Sequence, residues 1–111
     1  MSIVDRRFTY RGSIGLTTSD LELVRAGRKS CTVRLGQLEV SGDKVWLTDR
    51  RSRVMVEVLR VENELRLRNL TEAQARADGQ ESVEALTADL ARFYGPMELE
   101  QPVTVIWFRP I

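Results

Sequence analysis

The sequence predicts an α+β fold, a small and mostly antiparallel sheet or barrel with helices on its flank. Stretches with a period of two outnumber those with a helical period. They follow one another closely, and short turn signals separate them. A chain of 111 residues makes one domain, long enough to bury a core without cross-links.

In chain order, "RRFTYRG" alternates weakly and reads as a short edge strand or an arm, so residues 1–18 stand ahead of a domain over 19–111. "TTSDLELVRAG" is a helix with both ends marked. Ser19 and Glu22 have the spacing of a capping box, Leu21 and Val24 are its apolar face, and Gly27 takes the left-handed position after the last turn. "SCTVRL" alternates, with Cys31, Val33 and Leu35 on one side and Ser30, Thr32 and Arg34 on the other. After an expected turn at "SGD" come two strands, "KVWLTD" and "RVMVEVLRV", and then a short one at "ELRLRN". "NLTEAQARADG" reads as a helix capped by Asn69 and ended by Gly79. "SVEALTADLARFYG" is the clearest helix: Ser82 caps it, and Val83, Leu86, Leu90 and Phe93 form an apolar stripe expected to pack into the core. "PVTVIWF" closes the chain as a strand.

Composition narrows the chemistry. There is no histidine, which excludes Ser-His-Asp and Cys-His catalysis and every zinc site that needs imidazole. One cysteine makes neither a disulfide nor a thiolate cluster, and a lone Cys31 fits a reducing, cytoplasmic setting. The start of the chain carries no apolar run of signal-peptide type, and no stretch is apolar enough to span a membrane. Acid–base work therefore falls to carboxylates, a perturbed lysine, a tyrosine or the cysteine. Net charge is only +1, but residues 1–60 carry +5 and residues 61–100 carry −5. A basic first half can attract phosphate, or the two halves can fold together and neutralise each other.

The stretch "GRKSCTVRLG" is the most suggestive. Lys29 is one of two lysines in a chain that otherwise uses arginine, and Arg28 and Arg34 flank it. Neighbouring cations or burial drive a lysine toward its neutral form, in which it acts as a base. Thr32 supplies a hydroxyl that such a base can activate. In a regular strand residues 29 and 32 face opposite ways, so the two converge only if Lys29 still lies in the turn leaving the helix. Trp46, Tyr94 and Trp107 can stack on a base or pack in the core, and Arg50, Arg51 and Arg53 make a basic hairpin tip.

"AGRKSCTVR" resembles the G-x-K-x-x-T-x-R signature of the activating-signal-cointegrator homology (ASCH) family. The similarity runs on through "SGDKVWL", "LTEAQARADG" and "LARFYGPMELEQPVTVIWF", in register over roughly residues 20–108. The resemblance implies a PUA-like fold, a small β-barrel with helices around a cleft for a nucleoside or RNA. It implies one of three activities: an amidohydrolase that deacylates N4-acetylcytidine, a non-catalytic RNA-binding module, or an RNA-cleaving protein. By position, Lys29 becomes the base, Thr32 the nucleophile and Asp78 the proton donor, with neither metal nor cofactor. The amidohydrolases carry glutamate where this chain has Asp78; Glu81 is the alternative carboxylate. Arg28 or main-chain N–H groups near Gly27 would hold an oxyanion, Arg34 would orient the pair or meet a phosphate, and Trp46 and Tyr94 would contact the base.

Overall fold

A computed structural model describes residues 7–111 of the chain. The elements are β1 (Arg7–Gly15), α1 (Thr18–Arg25), β2 (Cys31–Leu35), β3 (Gln37–Thr48), β4 (Arg53–Arg66), a 3-10 turn (Leu67–Asn69), α2 (Glu72–Ala77), α3 (Val83–Tyr94) and β5 (Pro102–Pro110). The strands form one mixed sheet in the order β1-β3-β4-β5-β2. β1 runs parallel to β3 and the other three pairings are antiparallel. The sheet curls into a half-barrel with the helices on its flank, the α+β, PUA-like arrangement that the sequence predicts.

Local chemistry explains most element ends. Thr17 caps α1 by accepting from the Asp20 N–H, so the cap lies two residues before the predicted Ser19, which is helical. Gly27 follows the last turn at φ +74°, as expected for a left-handed terminator. α2 is capped by Thr71 in a reciprocal box with Gln74, while Asn69 belongs to the preceding 3-10 turn. Ser82 caps α3 by accepting from the Ala85 N–H.

Two strands are longer than the pattern implies. The "SGD" segment is a bulge inside β3, where Arg11 pairs with Ser41 and Ser13 next pairs with Trp46. Residues 42–45 are thus set against Gly12 alone, and such a bulge bends the strand and deepens its twist. Residues 64–66 of "ELRLRN" likewise continue β4, through two register shifts against β5, and residues 67–69 form the 3-10 turn, so the stretch makes no separate strand.

The half-barrel separates two cores. Ile14, Leu21, Val24, Val45, Leu47, Val56, Ile106 and Phe108 pack between α1 and one face of the sheet. Val33, Leu35, Leu67, Leu86, Leu90, Val103 and Val105 pack where α2 and α3 meet β2 and β5. The fully buried Thr104 ties the early part of β3 to β5, accepting from the Leu38 N–H at 3.0 Å and donating to the Gly36 carbonyl at 2.7 Å. Among the described residues no helix is long and apolar enough to cross a membrane.

Candidate active-site cleft

Lys29 sits in the turn between α1 and β2, the placement its convergence with Thr32 requires. The turn is closed by its own backbone: the Arg28 and Lys29 N–H groups both donate to the Leu23 carbonyl, at 2.8 and 3.2 Å. The Ser30 N–H then reaches Ala77 O at 2.7 Å, which stitches this turn to the end of α2. Gly79 permits that approach, because at φ +96° a Cβ there would lie 2.9 Å from Leu23 Cδ1. The contact brings Asp78, the residue that caps the C-terminus of α2, over the turn.

The result is a buried ion pair. Lys29 Nζ donates to Asp78 Oδ1 at 2.8 Å and to the Asp78 carbonyl at 2.9 Å, with the two side chains 2% and 8% exposed. Asp78 Oδ1 also accepts from the Val33 N–H at 2.9 Å. β2 is an edge strand, and this bond satisfies a main-chain donor on the side away from β5. Burial pushes the Asp78 carboxyl above its ordinary range, against the downward pull of Lys29 and the Val33 N–H. The carboxylate of Asp20 adds to the upward push.

Thr32 is buried beside this pair, and its Oγ1 accepts from Arg34 Nε at 3.3 Å. Arg34 also donates through Nη2 to the Gly15 carbonyl, so its guanidinium is anchored at both ends. No hydrogen bond joins Lys29 to Thr32; the lysine's partner is Asp78.

Lys29, Thr32, Arg34, Asp78 and Tyr94 all line one cleft of about 690 Å³. That volume lies within the roughly 300–1,000 Å³ usual for small-molecule sites. Leu86, Leu90, Phe93 and Tyr94 of α3 form its apolar wall, and Thr48, Asp49 and Arg50 of the β3–β4 hairpin form its rim. Asp49 Oδ1 accepts from the Ser52 and Arg51 N–H groups at 2.8 and 2.9 Å. Those bonds, the Ser52 one foremost, hold its carboxyl down at about 2.

Several expectations are corrected. Arg28 is exposed and does not line the cleft, and the N–H groups of Gly27, Arg28, Lys29 and Ser30 all donate within the protein, which leaves none for an oxyanion. Trp46 also lies outside the cleft: strand alternation turns it away from buried Val45 and Leu47, and the Arg53 guanidinium covers its ring at 3.9 Å. Trp107 is likewise covered, by Arg60 at 4.7 Å. Glu81 is exposed and outside the lining. Cys31, by contrast, packs in the core with Val33 and Leu35 as its strand parity predicts, and burial foremost pushes its thiol up to about 12. Phe93 does not join the core with Leu86 and Leu90; it is 66% exposed and faces the cleft. The sequence reading also missed Asp20 as a lining residue. Its position in a first helical turn reads locally as dipole compensation and nothing more. Among the described residues, no three His, Cys, Asp or Glu side chains gather where they could hold a metal ion.

No family model matches the chain, and no curated protein matches it in sequence. Its backbone does have counterparts. An ASCH domain from Lactobacillus crispatus JV V101 superposes with a TM-score of 0.71 at 12% identity, over 91% of this chain and 79% of that one. The chain has an ASCH-like fold. The hypothetical protein PH0355 superposes with a TM-score of 0.64 at 19% identity, over 96% of this chain and 100% of that one. Protein EF3133 from Enterococcus faecalis V583 gives 0.62 at 16% identity, over 100% and 79%. At such identities the likeness is one of backbone path. What the ASCH-like cleft does chemically is decided by the residues of this chain that line it.

Proposed function

We propose that the chain is a metal-independent amidohydrolase that removes the acyl group from N4-acylated cytidines. The observation that carries this reading is the buried Lys29–Asp78 pair, which lines one nucleoside-sized cleft together with buried Thr32. The resemblance of "AGRKSCTVR" to the ASCH signature supplies the substrate class.

The pair supplies base and acid together. Burial raises Asp78, and its nearest proton source is Lys29 Nζ at 2.8 Å. In the reacting form of the pair that proton has passed across, which leaves an amine to act as base beside a carboxylic acid to act as donor. Lys29 then takes the Thr32 Oγ proton, and Oγ attacks the acyl carbonyl carbon. Arg34, held on Thr32 Oγ1 and the Gly15 carbonyl, faces the oxyanion in the role that the turn N–H groups cannot fill. As the C–N bond breaks, Asp78 gives its proton to the leaving exocyclic nitrogen, and cytidine departs. The Lys29 ammonium returns a proton to Asp78. Lys29 next accepts one from a water that attacks the Thr32 ester, and the alkoxide recovers that proton as the carboxylic acid leaves. The α3 wall of Leu86, Leu90 and Phe93 suits the apolar faces of base and acyl group.

The test is incubation of N4-acetylcytidine with the wild type, Thr32→Val and Thr32→Ser, followed by chromatography for cytidine. Release of cytidine by the wild type and Thr32→Ser, with a loss of at least about 1,000-fold in Thr32→Val, is the expected result. Equal rates in wild type and Thr32→Val would remove the nucleophile. No cytidine from wild type at high enzyme concentration would end the amidohydrolase reading and leave the RNA-binding or RNA-cleaving one.

A further inference from the structure

The charged side chains that line the cleft are almost all committed to partners. Lys29 is held by Asp78, and Arg34 by Thr32 and the Gly15 carbonyl. Asp49 is used by the amides of its own loop, and Asp89 by Arg92. Among the described residues the cation left over is Arg50, which lines the cleft, is exposed, and has no carboxylate within ion-pair distance.

Arg50 is also the one residue other than glycine, among those described, with a positive φ, +79°. An arginine in that conformation is strained where a glycine would not be. The loop works to keep it there. Thr48 Oγ1 accepts from the Arg50 N–H at 3.2 Å and donates to the Ser52 carbonyl at 3.1 Å, while Asp49 braces the two residues that follow. A strained, braced and unpaired guanidinium at the rim of a cleft is arranged for an anion that arrives with the ligand. Guanidinium recognises phosphate by paired N–H bonds.

We propose that Arg50 binds a phosphate attached to the pyrimidine nucleoside in the cleft, so that the preferred ligand is a nucleotide and not a free nucleoside. The assignment takes the cleft as a cytidine site, as in the proposed function, but does not depend on hydrolysis. Asp20, among the described residues the lining carboxylate with no side-chain partner, is half-buried where Arg50 is exposed, and its charge acts on Asp78. It accepts from donors such as sugar hydroxyls and repels phosphate, so the anionic end of the ligand is directed to the rim.

Calorimetric titration of cytidine and cytidine 5′-monophosphate into wild type, Arg50→Gly and Arg50→Lys tests this, with N4-acetylcytidine hydrolysis followed in parallel. The wild type is expected to bind the monophosphate about 10-fold more tightly than the nucleoside. That ratio should fall to about 1 in Arg50→Gly and be partly kept by Arg50→Lys, while Arg50→Gly does not lower the melting temperature, because the strain is relieved. A ratio near 1 in the wild type, or one that survives in Arg50→Gly, overturns the assignment. A phosphate preference without hydrolysis leaves it standing and removes the amidohydrolase. Hydrolysis without a preference does the reverse, and failure of both ligands to bind ends both. A cytidine trinucleotide with a free 5′-hydroxyl separates the sources: if its binding also needs Arg50, the phosphate read is that of an RNA backbone, and otherwise that of a free nucleotide.

Discussion

Asp78 on the floor of the cleft and Asp49 on its rim are the same residue type, displaced to opposite sides of the ordinary carboxylate range. Asp78 is buried against a lysine, and loss of water outweighs that attraction, so its proton is held more tightly. Asp49 is open to solvent and accepts from loop N–H groups, so its proton is lost down to about 2. The floor thus keeps a group able to give and take protons, and the rim keeps a fixed negative brace that shapes a loop. The contrast teaches that charge alone does not identify a catalytic carboxylate; the number of fixed donors and the access of water do.

The largest effect should come from breaking the floor pair. Lys29→Met keeps the apolar stem but leaves Asp78 buried with the Val33 N–H as its remaining donor, and urea unfolding should show a loss of about 3–5 kcal/mol. Lys29→Met with Asp78→Leu should regain part of it, short by the Val33 N–H left without an acceptor. A loss below about 1 kcal/mol in the single variant would mean that the pair is hydrated after all.

The pH dependence of stability sharpens the contrast further, because the two carboxylates act in different windows. The raised Asp78 contributes fully below its unfolded value of 3.8, and that contribution is lost as pH rises through the higher folded value. The depressed Asp49 contributes above 3.8 and loses its contribution as pH falls toward about 2. Urea midpoints measured from pH 2 to 7 should therefore flatten above about 4 in Asp78→Asn and below about 4 in Asp49→Asn. Flattening of both variants in the same window would contradict the assignment.

The smallest stability effect belongs to the rim. Asp49→Ala removes the acceptor for two loop amides that water can then reach, so the melting temperature should fall far less than in Lys29→Met. Its signature is elsewhere. Proteolysis at the β3–β4 tip should quicken, and any preference for a phosphorylated ligand should weaken with it. A stability loss equal to that of Lys29→Met would erase the distinction between brace and buried pair.

What the sequence determined by itself was whatever depends on neighbours within a few residues. Gly27 and Ser82 mark helix ends because their backbone and hydroxyl roles are local, and the alternation of residues 31–35 and 45–47 assigns faces because strand geometry is local too. The G-x-K-x-x-T-x-R resemblance pointed to Lys29 and Thr32, and the ASCH-like fold puts both on one cleft. Other features needed the folded chain. "SGD" carries every local mark of a turn, and pairing with β1 and β4 makes it a bulge in β3. Phe93 continues the spacing of the α3 stripe, but it stays 66% exposed and lines the cleft instead of joining Leu86 and Leu90 in the core. Above all, the partner of Lys29 lies 49 residues along the chain, brought over the turn by Gly79 and the Ser30–Ala77 hydrogen bond. Local spacing encodes which groups a segment offers. Which of them lose their water and meet across the cleft is decided by packing between distant segments, and so are proton affinities and reactivity.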